Sequence, residues 1–159
     1  MEDSRPRRVV VIVYDGVVLV DLVALDVFTG AQMLAAAAGI IGYKISVVAA
    51  NGGVVSTGSN AALLAEPLAR LDGSEIDTIL VPGSLDFHAP HPPDLIAWLG
   101  QHAPKVRRVV SICVGAFVLA KAGLLSGRRV TTHWAAADAL RAGYPDIRVE
   151  HRAADWLWR

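Results

Sequence analysis

The run Arg8-Val-Val-Val-Ile-Val-Tyr14 carries no polar residue at any interior position. A strand with one wet face shows a polar side chain at every second place, so this run is expected to be buried on both faces. That is the situation of a central strand in a parallel sheet covered by helices. Asp15-Gly16 ends it, and from Asp21 the period changes. Leu22, Leu25, Val27, Phe28, Met33 and Leu34 recur at three- and four-residue steps, which predicts a helix running through the alanines at 35–38 to Gly39, with Asp21 able to cap its first turn.

The alternation continues along the chain. Strands are expected at Tyr43 to Ala49, Asp77 to Pro82, Arg108 to Cys113 and, briefly, Arg129 to Thr132; helices at Asp94 to His102, Gly115 to Ala122 and Trp134 to Ala142. Gly52-Gly53 before Val54-Val55-Ser56 reads as a turn entering a short hairpin, and Leu85 to Pro93, rich in Pro and His, as a surface loop. Strand and helix in alternation predict an α/β fold, a doubly wound sandwich with a parallel sheet between helices. With 159 residues and no internal repeat or low-complexity linker, the chain is read as one domain over 1–159, with no helix-turn-helix domain in it.

Composition narrows the function classes. Hydrophobic residues make up 53% and charged residues 19%, which excludes disorder over most of the length. Fifteen Lys plus Arg balance fifteen Asp plus Glu, so no overall electrostatic footprint for nucleic acid or an anionic membrane exists, and neither is expected as a direct partner. Val9 to Val13 is too short for the core of a secretory signal, and Val17 to Phe28 is broken by Asp21 and Asp26, short of the roughly 18 consecutive apolar residues of a membrane span. A single cysteine, Cys113, excludes an internal disulfide framework and a multi-cysteine zinc site, and it fits a cytoplasmic protein.

Cys113 stands where a buried strand meets a helix beginning near Val114-Gly115. Free amides at a helix start stabilise an anion and lower a thiol pKa, and ligands of open α/β sheets gather at the carboxyl ends of strands. Gly115 would let backbone or ligand approach closely, as in a nucleophile elbow. The competing reading is a small packing residue, since free cysteine is among the most buried types. His133 is either a base or polar contact near the same sheet edge or a surface residue capping a helix. Asp21 is either an acidic partner of the cysteine or an N-cap. Asp15, beside Gly16, reads as a turn residue, and Gly83 fits turn chemistry. Asp86, His88 and His91 have a spacing that could hold a metal, but a Pro-laden loop explains them better, so neither metal nor cofactor is expected. The four tryptophans read as core or interface residues, and the arginines at 107, 108, 128 and 129 as solvated strand ends.

Val9 to Gly16, Asp21-Leu-Val-Ala-Leu-Asp-Val-Phe28, Leu80-Val-Pro-Gly-Ser84, Ser111-Ile-Cys-Val-Gly-Ala-Phe-Val-Leu-Ala120, Ala122-Gly-Leu-Leu125 and Thr131-Thr-His-Trp134 together resemble the ThiJ/PfpI superfamily. The strand-Cys-x-Gly-helix block followed by Thr-Thr-His-Trp is the specific part. Within that superfamily the chain is most similar to the amidotransferase-like N-terminal domain of AraC/XylS-type transcriptional regulators, and it also resembles isonitrile hydratases. The resemblance implies a flavodoxin-like sandwich of the class I glutamine amidotransferase type, and a homodimer. It places the family's cysteine at Cys113, its acidic partner at Asp21 and its histidine at His133, with Gly83, Ser84, Val114 and Gly115 around a pocket for a small-molecule effector or substrate. In the enzymes the cysteine acts as a nucleophile; in the regulators the pocket takes an effector, while a separate helix-turn-helix region binds DNA.

Two departures weigh on the choice. Val114 stands where the hydratase-like pattern has Thr, so a hydroxyl for hydrogen bonding or proton transfer is missing. The sequence ends at Arg159, before the final strand and helix expected of such a domain, and Ala153 to Arg159 does not match the family's continuation. A fragment, a frameshifted end and a degenerate copy all fit that ending. The expected function is therefore small-molecule sensing in a regulator, with a cysteine-dependent hydratase or lyase as the alternative.

Overall fold

The computed structural model describes residues 5–71 and 76–150; the segment 153–159, with Trp156 and Trp158, lies outside the described residues. The strands are β1 (Arg7–Ile12), β2 (Tyr43–Ala49), β3 (Gly53–Ser56), β4 (Ala62–Pro67), β5 (Ile76–Val81), β6 (Arg108–Ser111), β7 (Arg129–Val130) and β8 (Arg148–Val149). The α-helices are α1 (Val23–Ala37), α2 (Pro93–His102), α3 (Ala116–Lys121) and α4 (Ala137–Gly143). Six strands form one sheet in the order β3-β4-β2-β1-β5-β6; β1 pairs in parallel with β2 and β5, β5 with β6 and β2 with β4, and only β3 runs antiparallel, in its hairpin with β4.

The apolar run that opens the sequence lies at the middle of this sheet, and Val9 to Val13 are 0% exposed. Its two faces feed separate cores. Val10 and Ile12 pack with Val48, Ile79, Leu95, Leu99 and Val118 on the side of α2 and α3. Val9, Val11 and Val13 pack with Leu22 and Leu80 beneath Ala24, Leu25 and Phe28 of the first helix. Alternation of period two inside an entirely apolar run is what a strand covered on both faces requires.

Several local expectations change. Asp21 does not cap α1: it lies in a 3-10 turn, Leu19–Leu22, and the N-cap residue Leu22 makes no side-chain capping bond. β7 leaves the main sheet and pairs in parallel with β8, which the sequence pattern did not reveal. Arg107 is not a free strand end but forks onto Asp77 with two bonds of 2.6 Å, latching the start of β6 to β5. Trp134 is exposed rather than core. The loop before α2 is only partly a surface loop, because His91 is 8% exposed and meets the ring of Tyr14 edge-on at 5.0 Å.

The segment Leu19–Ala37 is long and apolar enough to cross a membrane by length and composition, with mean hydropathy 1.6. In the fold its inner face covers the sheet through Ala24, Leu25 and Phe28. Its outer face, beside the exposed Asp26 and Thr29, carries an apolar stripe of Val20, Val23, Val27 and Leu34.

Candidate functional site at the carboxyl ends of three strands

β1, β5 and β6 are neighbours, and the chain leaving each delivers one part of a cluster. After β1 it passes Tyr14 and Val17 into the 3-10 turn that carries Asp21; after β5 it runs Pro82-Gly83-Ser84; after β6 it reaches Cys113. Convergence at the carboxyl ends of adjacent parallel strands is where open α/β sheets place ligands.

Cys113 has φ 55, and among the described residues it is the only non-glycine with positive φ. A residue with a Cβ tolerates that region at a cost of about 1–3 kcal/mol, so the surroundings must hold it there. Two contacts do. The Thr132 hydroxyl donates to the Cys113 carbonyl at 2.9 Å. Gly115, two residues on, lies so close to the end of β5 that a Cβ there would strike the Val81 carbonyl oxygen and come within 2.9 Å of that of Pro82. The turn Cys113–Gly115 then passes directly into α3.

Asp21 is 6% exposed, and its Oδ2 accepts a hydrogen bond from the Gly83 amide at 2.8 Å. The Asp21 carboxylate and the Val114 amide both act electrostatically on the Cys113 thiol, in opposite directions. Gly83 has no room for a side chain: a Cβ would sit 2.8 Å from Val114 Cγ2 and 2.9 Å from Asp21 Oδ2. Cys113, Asp21, Gly83, Val114 and Gly115 are thus brought together, while Ser84, buried beside them, donates to the Asp86 carbonyl at 2.9 Å.

His133 is placed differently. It is exposed, its Nδ1 accepts from the Ala135 amide at 3.3 Å, and its ring lies 5.3 Å from that of Trp134. Its observed role is to cap the 3-10 turn Trp134–Ala136. Asp15 holds the hairpin, accepting from the Ser56 amide at 2.9 Å and hydroxyl at 2.6 Å. The Asp86 carboxylate accepts from the His88 amide, a loop contact. Among the described residues no three His, Cys, Asp or Glu side chains lie close enough to hold a metal ion.

The electrostatics run against the simple expectation for a cysteine at a helix start. Burial raises the Cys113 pKa above its ordinary value, and the Asp21 charge and hydrogen bond add to the rise; the Val114 amide opposes them. The six-residue α3, entered through a 3-10 turn, does not reverse that balance. At neutral pH the thiol is held protonated.

Tyr14 was not anticipated from the sequence. Its hydroxyl donates to the Pro82 carbonyl at 2.6 Å, and burial drives its pKa well above the ordinary phenol range, with Asp21 and Cys113 adding to the rise and Ser84 opposing it. Its polar end, at the close of an apolar strand, was the available signal. Beside it a cavity of about 310 Å³ is lined by Tyr14, Asp15, His91 and the prolines of the loop.

The DJ-1/PfpI family model matches residues 7–152. An uncharacterized protein in the cpoL 5' region of Streptomyces lividans is 39% identical over 132 residues, covering 82% of this chain and 90% of that protein. The HTH-type transcriptional regulator CdhR of Pseudomonas aeruginosa is 35% identical over 113 residues, 67% of this chain and 32% of the regulator. Isonitrile hydratase of Pseudomonas putida is 42% identical over 67 residues, 41% of this chain and 29% of the enzyme. Among solved structures, an AraC family transcriptional regulator from Pseudomonas putida superposes with a TM-score of 0.77 at 24% identity, over 93% of this chain and 78% of that one. The matched stretch spans about a third of the named regulator and of the hydratase. With the strand order, the tight cysteine turn and a family match over nearly its whole length, the chain belongs to the DJ-1/PfpI family.

Proposed function

We propose that this chain is a single small-molecule-sensing domain of a transcriptional regulator, with the effector held at the cluster of Cys113, Asp21, Gly83, Ser84, Val114 and Gly115, and His133 at its rim. The observation that carries this reading is the buried cluster itself, in which the Asp21 carboxylate, 6% exposed, accepts the Gly83 amide at 2.8 Å beside the tight turn of Cys113. A nucleophilic cysteine needs thiolate, and here burial and the neighbouring carboxylate favour the protonated form. A neutral thiol beside a buried carboxylate and backbone amides is a hydrogen-bonding surface suited to recognition. Similarity to an HTH-type regulator over 67% of the chain supports the same choice. DNA contact is assigned to another part of the regulator, in keeping with the balanced charge here, and the domain is placed in the cytoplasm.

We also infer a homodimer, formed through the outer face of α1. An exposed apolar stripe on a helix is a surface that a partner covers. Val20, Val23, Val27 and Leu34 stand 73%, 55%, 63% and 74% exposed at helical spacing, which a second copy of the same face would cover.

The alternative is a cysteine-dependent hydratase or lyase, favoured by the similarity to isonitrile hydratase. Two measurements separate the readings: transcript levels in source cells carrying Cys113→Ser against the parent, and turnover of cyclohexyl isocyanide and a 2-oxoaldehyde by the purified protein. Altered transcripts with no turnover support sensing. Turnover that disappears in Cys113→Ser, with transcripts unchanged, overturns it.

A further inference from the structure

A second cavity, of about 340 Å³, lies between the 87–91 loop, α3 and α4, and Cys113 does not line it. Its apolar wall is aromatic: the Phe87 and Phe117 rings meet at 4.6 Å, and Tyr144 of the segment after α4 completes that side. Its polar groups are Lys121, one turn along α3 from Phe117, with His88 and His91 from the loop. Among the described residues lining it there is no Asp or Glu, so Lys121 stands in this wall without a carboxylate beside it in the lining. His91 is buried there, and both its burial and Lys121 lower its pKa.

We propose that this cavity binds a small aromatic carboxylate, its ring against Phe87, Phe117 and Tyr144 and its carboxylate toward Lys121 and the two imidazoles. The volume is at the lower end for small-molecule pockets, which fits a one-ring ligand. An aromatic floor takes a planar ring by stacking and edge contact, and a cation in a lining that holds no acid among the described residues takes the anion. The site shares no lining residue with the Cys113 cluster and stands whether or not that cluster senses an effector.

Benzoate is the probe, titrated into the whole chain by calorimetry and followed by amide NMR at Phe87 and Phe117. Benzoate is expected to bind, with benzyl alcohol and acetate each about tenfold weaker, because each keeps only one half of the recognition. Lys121→Met is expected to weaken benzoate about tenfold, Lys121→Arg to retain it, and Lys44→Met, on the exposed side of β2, to leave it unchanged. Lys121 is exposed, so its substitution is expected to leave the melting temperature unchanged; if Lys121→Met melts earlier, the retained affinity of Lys121→Arg carries the test. Absence of benzoate binding up to about 10 mM, equal binding of benzyl alcohol, or full affinity in Lys121→Met would each overturn the assignment.

Discussion

Asp21 Oδ2 accepts the amide of Gly83 at 2.8 Å, joining the turn after β1 to the turn after β5 across 62 residues of sequence. One carboxylate thereby serves two parts of the site, since its charge also raises the pKa of the Cys113 thiol. Replacing Asp21 by Ala leaves a buried amide unpartnered and is expected to cost about 1–3 kcal/mol in chemical denaturation.

Asp21→Asn isolates the electrostatic part. In the wild type, burial raises the thiol pKa first and Asp21 raises it further, so the carbamidomethylation rate of Cys113 is expected to climb only above the ordinary thiol value of 9.0. Removing the negative charge moves that profile to lower pH. A profile that stays in place in Asp21→Asn, or moves upward, would show that the carboxylate does not govern the thiol.

Tyr14 sets an alkaline limit on stability. Its folded pKa is raised above the ordinary 10.0, chiefly by burial. The folded state holds the phenolic proton more tightly than the unfolded one, so this contribution is complete below the ordinary value and is lost as pH rises through the elevated folded value. Tyr14→Phe removes the bond to the Pro82 carbonyl and is expected to cost about 1–2 kcal/mol at neutral pH. The gap between variant and wild type should narrow above pH 10.0, a comparison that urea denaturation across the alkaline range makes directly. A constant gap would place the proton elsewhere.

How much of this was legible in the sequence follows from the range of the interactions. The β1 run announced a doubly covered strand because burial on both faces is written in consecutive residues, and the Cys113-x-Gly115 spacing marked the tight turn for the same reason. Asp21 was ambiguous, since a carboxylate at the start of a helical pattern reads equally as a cap; only the position of Gly83 decides that it turns inward. Phe87 and His91 were hidden in a Pro-rich stretch that looks solvated locally, and their burial depends on Phe117 and Tyr14, which lie far away in sequence. The helix-start argument at Cys113 counts amides alone, and the sequence does not show the burial and the Asp21 carboxylate that act against them.

The outer face of α1 tests the assembly. Val27→Asp puts a charge in the centre of the exposed apolar stripe without touching Ala24, Leu25 or Phe28, which face the sheet. Sedimentation equilibrium is expected to give a dimer for the wild type and a monomer for Val27→Asp, with unchanged far-ultraviolet dichroism. A monomeric wild type at about 100 μM would remove α1 as a dimer surface.

Two glycine-to-alanine exchanges should move stability in opposite directions, and the contrast probes the turn at Cys113. Gly30 lies in the interior of α1, and a Cβ added there meets nothing within 4 Å. Alanine stiffens the unfolded chain and suits the helix, so Gly30→Ala is expected to gain about 0.5–1 kcal/mol. Gly115→Ala drives a methyl into the carbonyls of Val81 and Pro82, backbone atoms of the central sheet and its exit that have no rotamer through which to yield. The turn must open, which breaks the approach of Cys113 to Asp21, and the expected loss is about 3 kcal/mol or more. Thermal unfolding of the two variants beside the wild type reads both signs in one experiment. If Gly115→Ala melts with the wild type, the close approach of the cysteine turn to β5 is not what holds Cys113 at positive φ.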